Sequence, residues 1–247
     1  MQLSASRLAP GASPVNIAVR EWGAGPPLVF LHGGWGYDAY PFDRQIAALS
    51  PQHHLVAPDR SGYGGSTPID VLPTDFHQRA ADETCAVIDA LDLDRPLLWG
   101  HSDGAIIALM IGLASPDRIG GAIVEATHYF KHKPRSRAFF TNVLAAPRSR
   151  IVELHSRTWL AISDEAGPDE DFYGGRLADL RAPVLVLHGA RDPRTEPGEL
   201  DALRSALPDT QPFCVLDEAA HSPHSEPLTA DRVTGIASRF LNERVRV

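Results

Sequence analysis

Short unbroken apolar runs alternate along the chain with longer stretches whose apolar residues recur at helical spacing. Val15–Trp22 and Pro27–His32 read as strands, Ala39–Leu49 as a helix and His54–Pro58 as a strand. Asp75–Leu91 places Phe76, Ala80, Val87, Ile88 and Leu91 on one helical face. A strand at Pro96–Gly100, a helix at Gly104–Ala114 and a strand at Gly121–Ala126 follow. After an interruption the alternation resumes: strand Pro183–His188, helix Glu199–Leu207, strand Phe213–Leu216 and a closing helix Thr229–Leu241. Strands without polar alternation are buried on both faces, and only helices packed on both sides can bury them. The pattern predicts an α/β fold with a mostly parallel, doubly wound sheet.

The interruption, residues 129–180, holds helical stretches at Ala138–Ala145 and Ile151–Ile162 and no strand-like run; Pro147 and Pro168 bracket the second stretch. An all-helical insertion between two strands of such a sheet sits where ligands bind, at the strand ends, so it reads as a short lid. The expected organisation is a core in two parts, 1–128 and 181–247, around a cap at 129–180.

A composition of 43% hydrophobic and 22% charged residues suits one globular domain with an insertion and excludes a disordered chain. No apolar run approaches membrane-spanning length, and the first fifteen residues lack a basic start followed by an apolar stretch. Cys85 and Cys214 are too few for a disulfide framework or a four-ligand zinc site. The expected location is cytoplasmic. A net charge of −8 argues against nucleic-acid binding. That charge is unevenly spread: between Tyr129 and Thr158 seven bases face one acid, Glu153, so this tract carries +6 and the remainder −14.

Gly100-His101-Ser102-Asp103-Gly104 lies between a strand and a helix, the setting of a nucleophile elbow, where small flanking residues let a sharp turn pass. A serine hydroxyl becomes a good nucleophile only when a histidine takes its proton and a carboxylate orients that histidine. Asp192 follows the run Val184–Leu187 and His221 lies beyond the next strand, both on loops. His32-Gly33-Gly34 follows a strand, and Asp59-Arg60-Ser61-Gly62-Tyr63-Gly64-Gly65-Ser66 follows the next.

Together these motifs resemble the α/β-hydrolase superfamily of the serine-nucleophile type, over about Val15 to Leu241. The resemblance implies Ser102 as nucleophile, His221 as general base and Asp192 as its orienting acid. It implies an oxyanion hole from the backbone N–H groups of Gly34 and Asp103. Ala219 and Ala220 stand where a glycine commonly precedes the family's histidine, which keeps His224 open beside His221. Glu125 is the alternative acid. A dehalogenase is disfavoured, since it would place an aspartate where Ser102 stands.

Further residues carry two readings each. The Asp103 side chain either meets the helix dipole or pairs with a substrate amine. The basic tract is either a solvated face or an anion dock at the mouth of a pocket. Trp35, Tyr129, Phe139 and Trp159 are candidates for substrate binding. No histidines show metal-ligand spacing, so no metal or other cofactor is expected. The expected activity is hydrolysis of a small or medium carboxylic ester or thioester through an acyl-enzyme. The substrate would be a small acyl compound, with an anionic or carrier-bound one among the options, and neither nucleic acid nor membrane would be a partner. The alternatives are carbon–carbon or amide cleavage by the same residues, or a low-turnover ligand receptor.

Overall fold

The computed structural model describes Gln2–Leu3 and residues 15–245. Strands β1 (Gln2–Leu3) and β2 (Val15–Asn16) form a small antiparallel pair. The main sheet has seven strands: β3 (Val19–Trp22), β4 (Pro27–Leu31), β5 (His54–Pro58), β6 (Leu97–His101), β7 (Gly121–Glu125), β8 (Val184–Gly189) and β9 (Phe213–Leu216). They lie in the order β3-β5-β4-β6-β7-β8-β9, all parallel except β3, which runs antiparallel to β5. The single run expected at Val15–Trp22 is thus two strands. Between them Ala18 leaves the ladder to exchange hydrogen bonds with the Asp59–Ser66 loop, through its N–H to Ser66 Oγ and its C=O from Asp59 N–H.

Side chains alternate across the sheet with period two, and each set has its own core. Leu28, Phe30, Leu55, Trp99, Leu185 and Leu187 face α1 (Asp43–Leu49) and α7 (Ala230–Val245). Val29, Leu31, Val56, Leu98, Val124 and Val186 face the other side. There they meet α2 (Phe76–Ala90) and α3 (Asp103–Ala114). Helix α3 is apolar all round because sheet and neighbouring helices cover it entirely, as its buried run Ala105–Leu109 shows. Helix α1 starts at Asp43 rather than at Ala39, since Pro41 lacks an N–H and biases Tyr40 away from helical angles.

Between β7 and β8 the chain carries α4 (Pro134–Ala145) and α5 (Arg150–Glu165), packed on each other. Pro134 opens α4 where an N–H would lack a partner anyway, and Ser149 caps α5 by accepting from Val152 N–H. The base of this segment is closed by Lys131 N–H to Glu170 O and Phe172 N–H to Tyr129 O. It is anchored to α6 (Glu199–Ala206) by a buried carboxylate. Glu199 accepts from the N–H groups of Tyr129 and Phe130 and from the buried Lys133 ammonium. Among the described residues, no helix is long and apolar enough to cross a membrane.

Candidate active site

Ser102 sits between β6 and α3 with φ 55° and ψ −118°, a strained conformation for a residue with a side chain. The glycines around it explain how the turn closes. A Cβ on Gly100 would lie 2.1 Å from Gly104 O, and one on Gly104 would lie 2.0 Å from Leu31 O. Only hydrogens fit, so α3 can cross β4 and β6 at contact distance. The Ser102 N–H is held by Glu125 O at the end of β7.

Two loops converge on this turn. A Cβ on Gly189 would lie 2.0 Å from Ala220 O, so the loops after β8 and β9 touch. Arg191 N–H on Ala219 O joins them. They deliver His221 Nδ1 to 2.7 Å from Asp192 Oδ2 and His221 Nε2 to 3.1 Å from Ser102 Oγ. A carboxylate beside Nδ1 fixes the proton there, leaving Nε2 bare toward the serine. Asp192 Oδ1 accepts from the Arg194 N–H. Burial alone would raise the Asp192 pKa, but the neighbouring His221, its hydrogen bond and His188 together hold it well below the carboxylate range. Burial, and then the charge of Arg194, push the His221 pKa below 6.5 against the opposing pull of Asp192.

His224 and Glu125, the alternatives in the sequence, are paired with each other. His224 Nδ1 lies 2.8 Å from Glu125 Oε1, and its Nε2 lies 3.1 Å from Tyr40 O. His101, Glu125 and His224 come within 4.8 Å of one another, yet both His224 nitrogens already face acceptors. The backbone around His221 has a support that the sequence did not reveal. Glu226 accepts the N–H groups of Ala220 and Ser222, and His101 Nε2 donates to His221 O.

The loop after β4 is held by its carbonyls. Arg60 donates to His32 O and Gly33 O, and Tyr63 Oη–H donates to Gly34 O. In a trans peptide the N–H points opposite the C=O, so Gly34 and Trp35 present their N–H groups away from Arg60 and Tyr63. Among the described residues neither the Gly34 nor the Asp103 N–H has an acceptor.

The Asp103 side chain is fully buried and occupied. Oδ1 accepts from His77 Nε2 and Trp159 Nε1, both at 3.1 Å, and Oδ2 from His155 Nε2 at 2.7 Å. A counter-ion for a substrate amine is therefore not what this carboxylate offers. Instead it ties α5 to the core beside Ser102. Burial would raise its pKa, but His155 and His77 hold it well below the ordinary value. A Cβ on Gly34 would fall 2.0 Å from His155 Nε2 and 2.7 Å from Asp103 Oδ2. Gly34→Ala is expected to displace this tie together with the loop and lower kcat/KM by about 10²-fold, the scale of a 1 Å misplacement. Steady-state kinetics beside a thermal melt would check it; unchanged kinetics would contradict it.

Of the aromatic candidates, Trp35 and Phe139 stack at 5.3 Å and line a cleft of about 340 Å³ with Arg148 and Val152. Trp159 lies one layer behind, against His128, whose ring is parallel to His221 at 5.8 Å. Tyr129 packs at the base of the segment with Phe130 and Tyr173.

Comparison with known proteins agrees with this architecture. The chain is 25% identical to the pimeloyl-[acyl-carrier protein] methyl ester esterase of Vibrio campbellii, covering 84% of this chain and 92% of that one. The thermophilic esterase from Thermogutta terrifontis matches with a TM-score of 0.74 and 20% identity, over 99% and 98% of the two chains. The enol-lactonase from Burkholderia xenovorans LB400 matches with a TM-score of 0.68 and 20% identity, over 92% and 97%. The alpha/beta hydrolase family matches residues 28–233, most of the chain, including the turn at Ser102 and the two loops that converge on it, and the protein is a member of that family.

Proposed function

We propose that the protein is a serine hydrolase of small or medium carboxylic esters or thioesters, acting in the cytoplasm without a cofactor. The observation that carries this reading is the hydrogen-bonded run Asp192–His221–Ser102, with a bare imidazole nitrogen toward the hydroxyl. Ser102 Oγ attacks the acyl carbon as its proton passes to His221 Nε2. Asp192 stabilises the imidazolium that forms. The N–H groups of Gly34 and Asp103 receive the oxyanion. When the tetrahedral intermediate collapses, the bond to the alcohol or thiol breaks and Nε2–H protonates the leaving group. Water then repeats both steps on the acyl-enzyme and releases the acid. The helical segment 129–180 acts as the lid over this chemistry. Esterase activity named for the Vibrio and Thermogutta relatives supports the reaction class.

A fluorophosphonate probe, with the modified peptide identified by mass, tests it. Labelling is expected at Ser102 and lost in Ser102→Ala. A folded protein that takes no label would overturn the proposal, and a matched ester and thioester panel would sort the substrate class.

A further inference from the structure

The basic tract of the lid is largely neutralised where it stands. Lys131 pairs with Glu170, Lys133 with Glu199, Arg137 with Asp164, and Arg150 and Arg157 share Glu153. Among the described residues, only Arg135 and Arg148 of that tract have no carboxylate within 4.0 Å, and Arg135 instead donates to Thr195 O. The +6 of the sequence is therefore not a broad dock.

A cation outside the tract stands out instead. Arg194, two residues past Asp192, is half-buried, with its guanidinium carbon 4.3 Å from the Phe139 ring centre and 5.2 Å from that of Trp35. Arg148 lies over the same Trp35 at 6.0 Å. Arg194 has no carboxylate within 4.0 Å among the described residues, because the nearby buried acids are committed. Asp192 serves His221 and the Arg194 backbone, and Asp103 serves His77, His155 and Trp159. Withdrawing a guanidinium from water without a counter-charge is costly, and a bound anion would offset that cost. Aromatic stacking and the neighbouring Tyr40 hydroxyl hold the planar guanidinium in a fixed pose, and its remaining N–H groups suit binding of a carboxylate. Trp35 and Phe139 also wall the cleft, and the Arg194 charge acts on His221, so this cation lies near both.

Resting on the hydrolase reading above, we infer that Arg194, with Arg148 at the rim, forms a subsite for a carboxylate carried by the substrate. The enzyme would then favour half-esters of dicarboxylic acids or esters with an anionic leaving group over neutral analogues.

The test compares mono(4-nitrophenyl) adipate with 4-nitrophenyl hexanoate, and 4-acetoxybenzoate with its methyl ester, on the unaltered protein and on Arg194→Met, Arg194→Lys and Arg148→Met. The unaltered protein is expected to favour the charged member of at least one pair tenfold or more in kcat/KM, mainly through KM. That preference should weaken with added salt. It should drop about tenfold in Arg194→Met, less in Arg148→Met, and be only partly restored by Arg194→Lys, which keeps the charge but not the fork. A preference below twofold in both pairs on the unaltered protein would overturn the inference, whatever the variants do. So would an equal fall for charged and neutral substrates in Arg194→Met, which would make the residue a packing element. Fluorophosphonate labelling of Ser102 in the same preparation separates these failures from failure of the hydrolase reading itself.

Discussion

Replacing Asp192 by asparagine is expected to lower kcat by about 10⁴-fold with little change in the fold. An asparagine amide would donate to His221 Nδ1 across the present 2.7 Å contact and force the ring proton onto Nε2. The nitrogen facing Ser102 Oγ would then be a donor, unable to take the hydroxyl proton. Glu125 offers no rescue, since its Oε1 is engaged with the His224 ring and backbone N–H. The same geometry predicts the pH profile of the unaltered enzyme. His221 must be neutral to act as base, and its pKa is depressed, so the acid limb of kcat/KM is expected below pH 6.5. Stopped-flow acylation and a pH–rate series check both points. A loss under tenfold in Asp192→Asn, or an acid limb above pH 7, would contradict the assignment.

The second large effect concerns stability. Asp103→Ala removes the acceptor for His77, His155 and Trp159 at once and leaves three buried N–H donors. An unsatisfied buried donor costs about 1–3 kcal/mol, so a loss of at least about 3 kcal/mol is expected. In a chain of this size that lowers Tm by roughly 6–12 °C. Asp103→Asn should lose much less. Its carbonyl still accepts, and His155, whose Nδ1 has no partner, can change tautomer to receive the amide. A thermal melt of Asp103→Ala within about 1 kcal/mol of the unaltered protein would show that this carboxylate does not tie the lid to the core. Acid should loosen the same tie. The folded pKa of Asp103 is depressed, so its contribution is complete above the unfolded value and is lost as pH falls through the folded one. Burial depresses His32, His77, His101 and His128 in the same sense. Their share of stability begins to fade below pH 6.5, well before the carboxylates titrate.

The local features of the chain were legible for local reasons. A short unbroken apolar run such as Val184–Leu187, set between helical stretches, reads as a strand covered on both faces, and β8 is such a strand. The small residues at 100 and 104 announce a turn with no room for side chains, and the 2.0–2.1 Å clearances bear that out. Misreadings arose where a distant partner decided the outcome. The break at Ile17–Ala18 depends on Ser66 and Asp59, and no periodicity in residues 15–22 encodes them.

Charge behaved in the same way. From the sequence, Arg137 and Lys133 belong to one basic tract. In the structure Asp164 and Glu199, one a helix away and the other beyond a strand, absorb them. Likewise Asp103 could be flagged from its place after the serine, but its three donors come from α2 and α5. What the sequence alone determined was the succession of strands and helices, the elbow, and the short set of acids and histidines that could serve it. These depend on hydrophobic period, steric allowance and order along the chain. What only the tertiary structure decided was which histidine meets Ser102, which charges remain uncompensated, and where the lid is tied to the core. Those outcomes depend on distances of a few ångströms between residues far apart in sequence, because hydrogen bonds and ion pairs act only at contact range.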